Sequence, residues 1–302
     1  LEARGEDRLQ SLYESFFLYC YLNLHDRGRH GPAGENAWAW LEKREFNPSA
    51  VESLPLGLMT ECAPLRERLR ALGFSREEVR ASELAADPRL PGRLIGAIRD
   101  PRGRIAGFWA RSVRGTEPPC LYRGAWKLDT PLIGLDRSLG ARTGRHSPIV
   151  LVEDPLDALL LESFSLEGVA AIGGPARDLA VERWQRLVEL SVNEVFVLPW
   201  GTLADPRSIE SLLEQAYQAR PSPRVVVLGS LTCDELLSSL EDMADDPFPA
   251  LRSGGLDGLT FKAFAILGRH RPGPTWTDAA RLAAWKEAAE FYLAFRTRLR
   301  RS

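Results

Sequence analysis

Between residues 148 and 228 the chain alternates short apolar runs with amphipathic ones, and this alternation restricts the fold more than any other feature. IVLVE, GVAAIGG, EVFVLPW and RVVVLG read as buried strands. PLDALLLESFS, DLAVERWQRLVELS and PRSIESLLEQAYQA, which separate them, carry apolar residues at helical spacing. Strands that recur only after a helix-length crossover pair in parallel, and a parallel sheet needs helices on both faces. An α/β domain is therefore expected over 148–245.

The preceding residues follow another pattern. Residues 6–24 and about 35–45 read as helices divided by the breaker run HDRGRHGPAGE. NPSAVESLPLGLM reads as a capped short helix running into a turn. LRERLRALG and SREEVRAS read as two more helices, the second capped by Ser75. RLIGAIRDPRGRIAGFWARSV reads as two strands joined by D-P-R-G. The chain then divides into an N-terminal helix and linker (1–34), a mixed α+β subdomain (35–147), the α/β domain (148–245) and a helical segment (246–302), with a Pro/Gly break at 272–274.

Composition excludes some functions. At 302 residues, 44% hydrophobic and 26% charged, the chain reads as an ordinary soluble globular protein. A net charge of -2 argues against a uniformly basic nucleic-acid coat but leaves a local basic patch open. No apolar run approaches the ~20 residues of a membrane span, and LEARGEDRLQ lacks the core of a signal peptide. Four scattered cysteines without a C-x-x-C pair suit a cytoplasmic location. Cys20, His25 and His30 are the nearest approach to a zinc cluster, but no fourth ligand is nearby; they read as a half-buried Cys and two surface His.

In an open parallel sheet, functional groups collect beyond the carboxyl ends of the strands. Glu153 closes IVLVE and Asp157 lies four residues on, in the first turn of the next helix. One reading makes them a solvated strand end and a charge favoured by the helix dipole. The other makes them partners in a site. A second concentration of chemistry lies at 89–114. Arg89, Arg93, Arg99, Arg102, Arg104, Arg111 and Arg114 are opposed there only by Asp100. Phe108 and Trp109 are candidate stacking faces for unpaired bases, the alternative being a solvated hairpin with a buried Phe108.

Glu153-Asp154-Pro155-Leu156-Asp157, the apolar helix DALLLESFS and the strand ending at Gly173-Gly174 resemble the first motif, E-G-x-x-D, of the Toprim domain. DnaG-type primases, topoisomerases and related nucleases share that domain. Residues 93–111, RLIGAIRDPRGRIAGFWAR, are similar to the basic segment that precedes Toprim in DnaG-type primases. AWAWLEKREFNPSAVESLPLGLM, AWKLDTPLIGLDRS and LTCDELLSSL resemble further stretches of that family in the same order, so the likeness covers about residues 35–240. It implies a Toprim-type parallel sheet preceded by a mixed α+β subdomain and followed by C-terminal helices. It also implies Glu153 as acid/base or metal ligand, Asp157 and Asp234 as magnesium ligands, and Arg93, Arg99, Arg102, Arg104, Arg111 and Lys127 along a single-stranded DNA or RNA path.

The resemblance breaks where the family carries its second motif, D-x-D. Trp200 and Thr202 stand there, with Asp205 three residues beyond. The third motif, D-P-D, reads Thr232-Cys233-Asp234, and PPCLYRG replaces a segment that carries a lysine in the family. No P-loop motif of a helicase occurs. The expectation is a primase-like nucleic-acid-binding protein with degenerate Toprim motifs and impaired or lost catalysis, holding magnesium weakly or not at all. It would act with a helicase or other replication, mobile-element or defence proteins, and without a membrane. Two alternatives stand: an active divergent primase or Toprim nuclease in which Asp205 substitutes as a metal ligand, and a protein-interaction subunit that binds no nucleic acid.

Overall fold

Two sheets organise the residues that the computed structural model describes, namely 2–26, 31–100, 102–124, 132–140, 148–164, 166, 168–173, 180–228, 248, 251 and 255–257. The chain forms two units, Leu1–Asp136 with Leu159–Ser165, and Arg137–Ala158 with Leu166–Ser302.

The first unit is built on an antiparallel sheet of β1 (Leu56–Met59), β2 (Arg93–Arg99), β3 (Ile105–Ser112) and β4 (Cys120–Gly124), in that spatial order. Helix α1 (Glu2–His25) packs on one face of it, with Leu12, Tyr13 and Phe16 meeting Ile95, Phe108, Ala110 and Leu121 in one buried cluster. Phe108 stands edge-on to Tyr13 and Phe16, with ring centroids at 5.4 and 4.8 Å. Helices α2 (Gly31–Glu42), α3 (Pro48–Val51), α4 (Cys62–Ala71) and α5 (Arg76–Ala81) complete the unit's N-terminal part. Asn47 caps α3, and Ser75 with Glu78 forms a reciprocal capping box on α5.

Several local expectations are corrected here. LGLM is strand β1, paired with β2, and not a turn. Gly57 serves close packing: a Cβ there would lie 2.5 Å from the Cys20 carbonyl carbon of α1. Helix α2 begins inside the supposed breaker run, at Gly31, and ends at Glu42. CLYRG, to which the sequence assigns no element, is edge strand β4. Cys20, on the sheet-facing side of α1, is fully buried rather than half-buried.

The second sheet has the order β6–β5–β7–β8–β9. Its strands are β5 (Ile149–Val152), β6 (Val169–Ala171), β7 (Glu194–Val197), β8 (Arg224–Leu228) and β9 (Gly255–Asp257). The first three pairings are parallel and β9 is antiparallel to β8. Helix α6 (Leu135–Gly140) precedes it, and α7 (Pro155–Ser163), α8 (Val181–Glu189) and α9 (Pro206–Ala216) form the crossovers. Right-handed crossovers set α7 on one face and α8 with α9 on the other. The latter pair packs together, burying Trp184 and Leu187 of α8 and Ile209, Leu212 and Leu213 of α9. The α/β reading of 148–228 thus holds. Of the segment expected to be helical from 246 onward, Phe248 and Leu251 are helical and Gly255–Asp257 form strand β9; residues 258–302 lie outside the described ones.

Trp109 lies across Gly96, its partner in the β2–β3 register, and a Cβ at Gly96 would sit 2.1 Å from the indole. Gly96→Ala is expected to lower stability by about 1–3 kcal/mol through overpacking, read as a fall in the urea midpoint with an unchanged slope.

Candidate functional site

Strands β5 and β7 are neighbours, yet the chain leaves β5 toward β6 and leaves β7 toward β8. The order of connection reverses between them, which opens a crevice at their carboxyl ends. Main-chain bonds carry the pairing to that edge: Leu198 N–H donates to Leu151 O at 3.0 Å, Ile172 N–H to Val152 O at 2.9 Å, and Gly173 N–H to Glu153 O at 3.1 Å.

Glu153, half-buried, follows β5 at this crevice, and Asp157, also half-buried, lies in the first turn of α7. Asp154 between them starts the helix: its Oδ1 accepts from Leu156 N–H at 2.9 Å and its carbonyl from Asp157 N–H at 3.1 Å. Across the crevice, β7 runs into Trp200 and a short 3-10 turn, Gly201–Ala204. Gly201 has a φ of 62°, and a Cβ there would lie 2.7 Å from Glu153 Oε2. The main chain of this turn therefore borders the Glu153 carboxylate directly. Asp205 is exposed and caps α9, accepting from Arg207 N–H at 3.1 Å. Asp234 lies outside the described residues.

Magnesium takes one or two carboxylates and keeps several waters, whereas a two-ion clamp needs several carboxylates converging. Among the described residues no three Asp, Glu, His or Cys side chains gather where a metal ion could bind. Asp154 and Asp205 turn an oxygen to a helix start, and the last residue between β7 and the 3-10 turn is Trp200, which has no carboxylate. The described donors do not fit a two-ion site.

The arginine segment is sorted by the strands. Arg93 pairs with Ser112 and Leu94 with Arg111, so Arg93 and Arg111 fall on opposite faces of the sheet. Arg93 is 2% exposed and donates only to protein oxygens, so it is not a surface ligand. Phe108 and Trp109 are 1% and 2% exposed, and neither offers a face to a base. Arg111 is half-buried, and Lys127 lies outside the described residues. At the hairpin tip, Asp100 Oδ1 accepts from the N–H groups of Arg102 and Arg104, each at 2.9 Å, and Oδ2 accepts from Arg104 Nε at 3.0 Å. Arg99 donates to Gly103 O at 2.6 Å. The tip is thus ordered from within, and Arg102 and Arg104 remain exposed.

No family model matches the chain. A DNA primase of Chlamydia trachomatis serovar D is 27% identical over 220 residues, covering 68% of this chain and 35% of the relative. The DNA primase domain from Pseudomonas aeruginosa has a TM-score of 0.73 at 20% identity, covering 96% of this chain and 94% of that one. A DnaG primase catalytic domain bound to ssDNA has a TM-score of 0.69 at 18% identity, covering 88% and 84%. The chain has the fold of a DnaG-type primase catalytic core. It spans about a third of the length of its Chlamydia relative.

Within this primase-type core the structure adds a group that sequence reasoning missed. Asp87, 8% exposed, accepts from Arg89 Nε and Nη2 at 2.9 and 3.0 Å and from Arg123 Nε at 2.7 Å and Nη2. The Asp-Pro-Arg run signals the Arg89 contact; Arg123, thirty-six residues away, leaves no such signal. Burial pushes the Asp87 carboxyl up, but hydrogen bonds from the Arg89 side chain and main chain, and from Arg123, outweigh it and hold the group well below the ordinary carboxylate range.

A depressed carboxylate stabilises the fold above its unfolded pKa, near 3.9, and that contribution is lost as pH falls below it. Asp87→Asn is expected to cost roughly 1–3 kcal/mol at neutral pH and to flatten the loss of stability below about pH 4, measured by urea unfolding at stepped pH.

Proposed function

We propose that this primase-type core binds single-stranded nucleic acid and that its magnesium-dependent phosphoryl transfer is impaired or lost. The observation that carries the second half is the turn after β7. Trp200 and the positive-φ Gly201 occupy the edge facing Glu153, where partner carboxylates are needed. Arg102 and Arg104, exposed on an ordered tip, with the exposed Arg89 and Arg114, support the first half, because phosphate is bound chiefly by arginine and lysine. A DnaG catalytic domain of the same fold has been captured with ssDNA. The chain then serves as a binding or scaffolding component beside a helicase or other replication, mobile-element or defence proteins.

The test supplies the full chain with a single-stranded template, nucleoside triphosphates and either magnesium or manganese. No oligonucleotide product above background is expected, and Glu153→Ala should change nothing. Metal-dependent synthesis or cleavage abolished by Glu153→Ala overturns the loss of catalysis. It would support an active divergent enzyme using Glu153, Asp157, Asp205 and Asp234. Binding is checked separately: changing Arg99, Arg102 and Arg104 together to Ala should lower the salt slope of ssDNA affinity by about 0.7 for each phosphate that is no longer neutralised.

A further inference from the structure

Arg93 opens β2 and is buried, yet it faces main-chain and hydroxyl oxygens from three directions. Nε donates to Arg89 O at 2.7 Å. Nη1 donates to Pro118 O at 2.8 Å, Pro119 O at 3.3 Å and Ala110 O at 3.4 Å. Nη2 donates to Thr116 Oγ1 at 3.2 Å and Thr116 O at 3.4 Å. One guanidinium thereby joins the turn at 89, the end of β3 and the segment 113–119.

Its neighbour across the ladder extends the joint. Ser112 Oγ lies 2.8 Å from Thr116 Oγ1 and accepts from Thr116 N–H at 2.9 Å and Arg114 N–H at 3.3 Å. Ser112 N–H donates to Pro119 O at 3.0 Å. The Arg114 side chain lies over Gly92, where an added Cβ would be 3.8 Å from its Nε. Arg89 is held by Asp87, with its own side chain 57% exposed. Two exposed arginines, Arg89 and Arg114, are therefore carried by main chain that ends on Arg93.

The arrangement is costly. Burial pushes the Arg93 pKa down, and nearby Arg123 and Arg89 push it the same way against Cys120 and Asp87. Only a planar fork of five N–H donors reaches all three segments; a lysine ammonium has three donors at one point.

We infer that Arg93 is a positioning residue that fixes Arg89 and Arg114 for contact with nucleic-acid phosphate and does not touch the nucleic acid itself. This role rests on the nucleic-acid reading above.

The test compares the full chain with Arg93→Lys, and with Thr116→Val as a milder change that removes one acceptor of the fork. Amide exchange in 113–119 should quicken by about tenfold in Arg93→Lys and by less in Thr116→Val. In the wild type, Arg89→Ala and Arg114→Ala should each lower the salt slope of ssDNA affinity by about 0.7. Arg93→Lys alone should lower it by about 1.4, and adding either alanine should then change little. A wild-type slope in Arg93→Lys, or slope decreases that simply add, overturns the role. Should Arg93→Lys fail to fold by circular dichroism, the same non-additivity in Thr116→Val decides. A wild-type chain that binds no ssDNA removes the nucleic-acid reading and this role together; binding that persists unaltered in Arg93→Lys removes this role alone.

Discussion

The parallel pairing of β5 with β7 sets what the chain can do chemically. It brings the end of IVLVE and the end of EVFVLP to the same edge, at the point where the connections diverge. Among the described residues, that pairing places Glu153 from β5, Asp157 through the start of α7, and Trp200 with Gly201 from β7. The pairing is intact, as is the helix start that presents Asp157. Strand register depends on Val150, Leu151, Phe196 and Val197, which are buried in the core, and not on the side chains beyond the strand ends. A core of this kind can keep its crevice while its chemistry changes.

The same separation governs the basic half. Strand alternation, rather than arginine density, decides which cations meet solvent. Arg93 and Arg111 are close in the hairpin but on opposite faces, and the buried one has become structural. Seven arginines in sequence thus reduce to a smaller exposed set at the tip and around the 87–92 turn. A patch of that size is compatible with a slightly acidic chain, since the field near a surface is set by the nearest charges within about 10 Å.

Periodicity made the second sheet legible because each central strand of that sheet, buried on both faces, is an unbroken apolar run between helix-length connections. The D-P-R-G turn and the Ser75 cap were legible for equally local reasons. Strands β1 and β4 were not. Each is short, one contains a glycine that answers to α1 and not to its own strand, and their assignment depends on partners far along the chain. The buried states of Arg93 and Trp109 were hidden for the same reason, and that of Phe108 stood only as an alternative: burial is set by what packs on a strand, and the strand's own residues do not state it.

One pattern in the sequence does carry more than it first suggests. Asp87, Asp100, Asp154 and Asp205 each precede a proline. In all four the carboxylate accepts the N–H of the residue two positions on: Arg89 at 3.0 Å, Arg102 at 2.9 Å, Leu156 at 2.9 Å and Arg207 at 3.1 Å. Proline has no N–H, so the first donor that an aspartate can reach ahead of it is at that position, and proline's fixed φ preorganises the turn. An Asp-Pro pair whose aspartate is among the described residues therefore marks a carboxylate already engaged locally, twice at the start of a helix. Counting acidic residues near a strand end overstates the ligands available to a metal ion unless these are set aside. Asp205 belongs with them, whereas Asp157, which precedes alanine and follows the helix start, does not.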